Sequence, residues 1–292
     1  MIDTRNLAAV AATDTGRGTP RLMAPVIDDL GRAAALLLES GPALRVGVLT
    51  GFFIPRAQPP AAETDGPLGA VQIAAMITSL GGAATVISDS RCAAFVQGFL
   101  GGAEPVGGDG RRPDMVVADS PAGISLDLTH VISIERPGRS ADGTYRNMFG
   151  TDISAFCPPL DDWFGSVNLP TIAIGDGGNE VGMGRLDRQL VAEVVTDGAL
   201  IQSVVTADAL IVGGTSNWGA HALCAAVAGR SARTSSRRVL MEAWCRRVLD
   251  GGVAAGAVDG VSAARQPSID GLAWRDYWKI PRELNRIALV DT

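Results

Sequence analysis

Ile172-Ala173-Ile174-Gly175-Asp176-Gly177-Gly178-Asn179-Glu180-Val181-Gly182-Met183-Gly184 decides how the chain is read. The β-branched, apolar run 171–174, bounded by Pro170, has the pattern of a buried strand. Gly175, Gly177, Gly178, Gly182 and Gly184 then turn the backbone where a Cβ would obstruct positive φ or a close approach. Asp176, Asn179 and Glu180 lie among them. Carboxylate and amide oxygens therefore gather at a strand's carboxyl end, where open α/β sheets form their binding crevices. The competing reading is a tight strand-to-helix turn whose glycines serve packing alone.

On either side of this turn, strand and helix patterns alternate. Strands are expected at 45–50, 84–88, 115–118, 131–134 and 209–212. Helices are expected at 6–12, 22–39, 68–80, 91–100 and 235–249, with 185–192 extending a helix begun after the glycine loop. A further helix, capped by Asn217, should run to Ala228, and Ser268 should open a carboxyl-terminal helix carrying Trp274, Tyr277 and Trp278. Parallel strands need crossovers, so this β-α-β order calls for a mainly parallel sheet with helices on both faces. The expected fold is a three-layer, Rossmann-like α/β sandwich forming one domain over 1–292, with 1–20 as an amino-terminal arm whose turn-rich part, 14–20, is exposed. The stretch 251–257 is either a flexible connector or a tight backbone approach.

Composition narrows the function classes. A 47% hydrophobic and 19% charged chain of 292 residues can bury a large core and is not disordered. The formal net charge of -6, with no basic run beyond Arg237-Arg238 and Arg246-Arg247, disfavours a nucleic-acid partner. Lys279 is the only lysine, so lysine-dependent phosphate loops and Schiff bases are poor candidates. Cys92, Cys157, Cys224 and Cys245 form no Cys-x-x-Cys pair and read as buried thiols. No signal peptide and no apolar run of about 18 residues is present, so a membrane partner is not expected and the expected location is a bacterial-type cytoplasm. The core and the carboxyl-terminal aromatics permit a homodimer without requiring one.

Three further loops follow strand ends. Glu63-Thr64-Asp65-Gly66-Pro67 precedes the 68–80 helix, where acids often serve only as caps. Glu135-Arg136-Pro137-Gly138-Arg139 continues to Asn147 with Asp142, Tyr145 and Arg146; guanidinium forks suit carboxylate or phosphate oxygens, and the alternative is an exposed ion-pair cluster. Gly213-Gly214-Thr215-Ser216-Asn217-Trp218-Gly219-Ala220-His221 is a second glycine-rich turn with hydroxyl and amide groups. His221 and His130 are read as packed rather than catalytic.

Together, Glu63 to Pro67, Ile134 to Arg139 with Asp142-Gly143, Ile174 to Gly184 and Ser216 to Ala220 resemble, in the same order, the signature segments of the D-glutamate cyclase family. In larger relatives of that family this unit is a carboxyl-terminal domain. The resemblance implies dehydration of D-glutamate to 5-oxo-D-proline, with a divalent cation such as Mn²⁺ or Mg²⁺. Ring closure needs a neutral amine, an activated γ-carboxyl group and a fixed conformation. On chemical grounds Arg136 and Arg139 are assigned to carboxylate recognition. Asp65, Asp176 and Glu180 are assigned to a hard-cation or acid–base cluster. Glu63 or Glu135 would accept the ammonium proton, and Gly177, Gly178, Asn179, Ser216 and Asn217 would complete the substrate site. The rival readings are a metal-dependent phosphate- or nucleotide-using enzyme and a noncatalytic sensor of an acidic metabolite.

Overall fold

Six short runs dominated by Val, Ile, Leu and Ala pair side by side in the computed structural model, which describes residues 2–106 and 112–289. They are β1 (Arg45–Thr50), β2 (Ala83–Ser88), β3 (Asp114–Val117), β4 (His130–Ile134), β5 (Thr171–Gly175) and β6 (Ala209–Val212). Every ladder is parallel, and the order across the sheet is β3-β2-β1-β4-β5-β6. This is the doubly wound Rossmann order, whose winding reverses between β1 and β4 and opens a crevice beyond their carboxyl ends. Register aligns those ends: Thr50 lies opposite Ile134, Ile134 opposite Ile174, and Ile174 opposite Ile211. The loops that leave them begin at one level.

The longer helices are α1 (Thr4–Ala11), α2 (Asp29–Glu39), α3 (Pro67–Ser79), α4 (Ala93–Gly102), α5 (Ser216–Ala228), α6 (Glu242–Ala254) and α7 (Lys279–Ala288). α3 and α5 are buried along their whole length, as helices that are apolar all round must be. Their backbones approach so closely that a Cβ on Gly69 would lie 2.6 Å from the Cβ of Ala220. Alternation along the strands separates two layers. Ile174 and Ile211 face Gly219 of α5, whereas Ala173 and Leu210 face Gly182 on the opposite side. On that opposite side, Gly47 of β1 leaves room for Trp163, from the short helix Asp161–Ser166, and for Leu128.

Several boundaries differ from the sequence expectation. The expected 22–39 helix is split: a short helix Thr19–Met23 runs into a 3₁₀ turn, Ala24–Val26, at Pro25 before α2 begins. The glycine loop leads only to the turn Met183–Arg185. A separate helix, Arg188–Val194, then starts on Asp187, whose carboxylate accepts from the amides of Gln189 and Leu190. A 3₁₀ run, Thr234–Leu240, takes the first half of the expected 235–249 helix. At Ser268 the chain forms a hairpin, Ser268–Ile269 with Leu272–Ala273, turning on Asp270 (φ 51°) and Gly271 (φ 77°) before the helices resume. The carboxyl-terminal aromatics dock on the body: Trp274 stacks on Tyr277 and Trp278, and Tyr277 on Trp218 of α5.

Residues 251–254 belong to α6 and make a tight backbone approach. A Cβ on Gly251 would lie 2.4 Å from the carbonyl oxygen of Gly98, and one on Gly102 would lie 2.3 Å from that of Arg247. All four cysteines are buried and free. Among the described residues no helix is long and apolar enough to cross a membrane.

Candidate active site

The first residue beyond β4, Glu135, takes φ 44°, an uncommon conformation for a side chain with a Cβ. Its Oε2 accepts from the Ser216 hydroxyl. The neighbouring Gly66 is obligatory, since a Cβ there would lie 2.5 Å from that of Glu135. Beyond β5, the glycine loop folds around one carboxylate. Glu180 Oε1 accepts from the amides of Asp176 (3.1 Å) and Gly177 (2.7 Å), and Oε2 from Gly178 (2.8 Å).

Asp65 and Asn217 join the other two strand ends. Asp65 accepts from the amides of Ser216 (2.8 Å) and Asn217 (2.9 Å) at the start of α5. Asn217 Oδ1 accepts from Gly66 (3.1 Å) and Gly69 (2.8 Å) at the start of α3, and its Nδ2 donates to the Thr64 carbonyl. The N-cap of α5 itself is Thr215, not the expected Asn217.

A cavity of about 350 Å³ opens above these groups, within the usual ligand range of roughly 300–1,000 Å³. Its floor carries Glu63, Glu135, Asp176, Glu180 and Asp270 together with Arg17. Arg17 pairs with Asp176 and, at 3.1 Å, with Asp270. It is held there by its own loop. Asp14 accepts from the amides of Gly16, Arg17 and Gly18, Thr15 donates to the Gly214 carbonyl, and the Gly214 amide donates to Ala11. The segment expected to be an exposed arm thus places a guanidinium only 15% exposed in the floor.

Burial and crowding make four of the acids here, Glu63, Asp65, Glu135 and Asp176, hold their protons more tightly. Burial raises the Glu63 carboxyl well above its ordinary value, and Asp270 and Asp65 add to the effect. Burial also raises Glu135, with Glu180 and Glu63 contributing, and it raises Asp176 despite the opposing charge of Arg17. Asp65 is pushed up to about 8 by burial and by Asp270, against the pull of the Asn217 and Ser216 amides. Asp65, Glu135 and Asp176 each present an oxygen within 4.8 Å of the others. Asp176 Oδ2 is the oxygen that faces the Arg17 guanidinium. An all-carboxylate donor set suits a hard divalent cation.

The acids picked out from sequence converge here, but their parts differ. Glu180 is engaged by loop amides, and Glu135 takes its place in the three-carboxylate group. Arg136 and Arg139, expected to bind substrate carboxylate, are engaged by carboxylates of the protein instead. Arg136 is buried against Asp89 and donates to the carbonyls of Gly51 and Pro158, while Arg139 pairs with Asp161 and Asp162. Among the described residues neither lines the cavity. Gly177 and Asn179 line it, with Gly178 (φ 98°) between them; Ser216 and Asn217 lie beneath. His221 is interior, bonded to Gln72 and Asn285 and held neutral by burial, which lowers it to about 4. Arg17 and Asp270 are the site residues that sequence reading missed. Asp270-Gly271 carries a hairpin signal that marks its turn, though not where the carboxylate points.

A family model described as D-glutamate cyclase-like, C-terminal, matches residues 7–285. The mitochondrial D-glutamate cyclase of Homo sapiens is 32% identical over 241 residues, which cover 76% of this chain and 38% of the human protein. The chain therefore spans well under half the length of that relative. With a match from α1 to α7 and the signature loops gathered around one cavity, the chain belongs to the D-glutamate cyclase family.

Proposed function

We propose that this chain is a carbon–oxygen lyase that closes D-glutamate to 5-oxo-D-proline with loss of water. The observation that carries the reading is the convergence of buried, proton-retaining carboxyl groups around Arg17 in a cavity of metabolite size. Arg17 pairs with a carboxylate of the substrate, folding the chain so that its amine faces its own γ-carbon. Ring closure removes protons from the attacking nitrogen and delivers a proton to the departing oxygen. Glu63 and Glu135 line the cavity and burial raises both carboxyl groups, so the one that is ionised accepts while the one that is protonated donates. Mn²⁺ or Mg²⁺ held by Asp65, Glu135 and Asp176 would polarise the γ-carboxyl group as a Lewis acid.

Phosphate cradling by the glycine loop is disfavoured, because the amides of residues 176–178 already donate to Glu180. The test is incubation of metal-stripped protein with D-glutamate or L-glutamate, each with and without Mn²⁺, and chiral chromatography of 5-oxoproline. Product from the D-isomer supports the reading. A folded sample that makes none from either isomer sinks it.

A further inference from the structure

The cavity's walls do not match glutamate alone. Above the acidic floor, Phe53 and Ile54 approach from one loop and Met148, Phe149, Ile153 and Phe156 from another. Phe53 and Phe156 stack with ring centroids 6.0 Å apart. At the rim, Phe149 is 58% exposed and carries the Arg56 guanidinium 5.6 Å above its ring. Arg56 is tethered in turn to the carbonyls of Gly260 (2.6 Å) and Val261 (2.8 Å), which orders the rim. A bare glutamate seated on the floor would leave this apolar sleeve uncovered, with no return from burying it.

Charge points the same way. Among the described residues Arg17 is the single cation of a floor holding Glu63, Glu135, Asp176, Glu180 and Asp270. Glutamate brings two carboxylates, and the floor's one guanidinium can pair with only one of them. Its γ-amide brings a single carboxylate, which matches that one cation. The α-carboxylate of such a ligand takes Arg17, so an apolar extension into the sleeve must leave from the γ-nitrogen.

We infer that the preferred substrate is a γ-amide of D-glutamate bearing an aromatic or other apolar N-substituent, closed to 5-oxo-D-proline with release of the amine. This rests on the cyclase reading and specifies its leaving group. The α-nitrogen forms a bond to the γ-carbonyl carbon, and the bond from that carbon to the departing nitrogen breaks. Of the two protons the ammonium sheds, one passes through Glu63 or Glu135 to the departing nitrogen. The other joins an alkylamine product or leaves to solvent. No oxidant or water is consumed.

The experiment compares the γ-anilide of D-glutamate, D-glutamine and D-glutamate, with and without Mn²⁺, scoring 5-oxo-D-proline and released aniline. The anilide should exceed D-glutamine by about tenfold in kcat/KM, the scale of discrimination a hydrophobic pocket supplies. That ratio should fall about fivefold in Phe149→Ala, an exposed position whose change spares the fold, and likewise in Phe156→Ala. D-glutamate turnover with no anilide turnover, or equal rates for anilide and D-glutamine, overturns the inference and leaves the cyclase reading standing. No 5-oxoproline from any of the three overturns both.

Discussion

Asp65 and Asn217 cap each other's helices. The carboxylate takes the first amides of α5 and the amide oxygen takes those of α3, across a gap of over 150 positions in sequence. Asn217→Ala leaves the Gly66 and Gly69 amides without an acceptor inside the protein. We expect a loss of about 3 kcal/mol in urea unfolding, from three lost bonds, the third being the Nδ2 bond to the Thr64 carbonyl, and from the stranded amides. Turnover should fall as well, because Asp65 loses its fixed seat. An unfolding midpoint equal to that of the parent would show that the caps are dispensable.

Glu180→Gln should disorder the glycine loop. The carboxylate accepts three amides, whereas a carboxamide offers one oxygen and turns a donor toward another donor. A loss of about 3 kcal/mol is expected, the scale of a charge-assisted bond in a buried place. Far-UV circular dichroism should stay native-like. Amide hydrogen exchange at 176–178 should accelerate, and unchanged exchange there would contradict the role.

Arg17→Met keeps the apolar stem and removes the counter-charge of Asp176 and Asp270. For D-glutamate, kcat/KM should drop about 100-fold, mostly through KM, as when one partner of a buried charge pair is cut away. Arg17→Lys should recover only part, since a point charge replaces a planar fork. A KM unmoved in both variants would remove Arg17 from substrate binding.

The acidic floor sets a pH dependence in metal-free protein. Asp65 binds its proton up to about pH 8 when folded, against an ordinary value of 3.8, and Glu63, Glu135 and Asp176 shift in the same direction. The folded state therefore holds more protons than the unfolded one across this window. Stability contributed by the neutral acids is full below the unfolded value and is lost as pH rises toward 8. The melting temperature should fall between pH 5 and pH 8, less steeply in Glu63→Gln. Mn²⁺ should raise it more at pH 8 than at pH 5, because the ligands must be ionised. A melting temperature that climbs over this range without metal would reverse the sign and refute the account.

Much of this architecture could be read from the chain. Six strands appear within a residue or so of their expected bounds, because parallel strands are continuous apolar runs where both faces are covered, as in all but the edge strand β3. The loops at their ends were visible as glycine and acid clusters. Side-chain direction was not. Arg136 looked available because Asp89, its partner, stands 47 positions away and only the register of β2 beside β1 brings it near. Arg17 looked exposed because Asp14-Thr15-Gly16-Arg17-Gly18 has the composition of a surface turn. Its Asx-type bonds are local, but its anchorage on Gly214 is tertiary.

The floor's one guanidinium enters from ahead of the first strand, on a loop that contributes nothing to the sheet. Fold and chemistry are consequently separable along the chain. A polypeptide matching this one from β1 to β6 could share its layers and its glycine loop while offering the incoming molecule a floor of carboxyl groups with no cation. For sorting relatives by what they do, the informative signature is the short opening segment around Arg17, read together with the Asp270 hairpin that meets it from the other end.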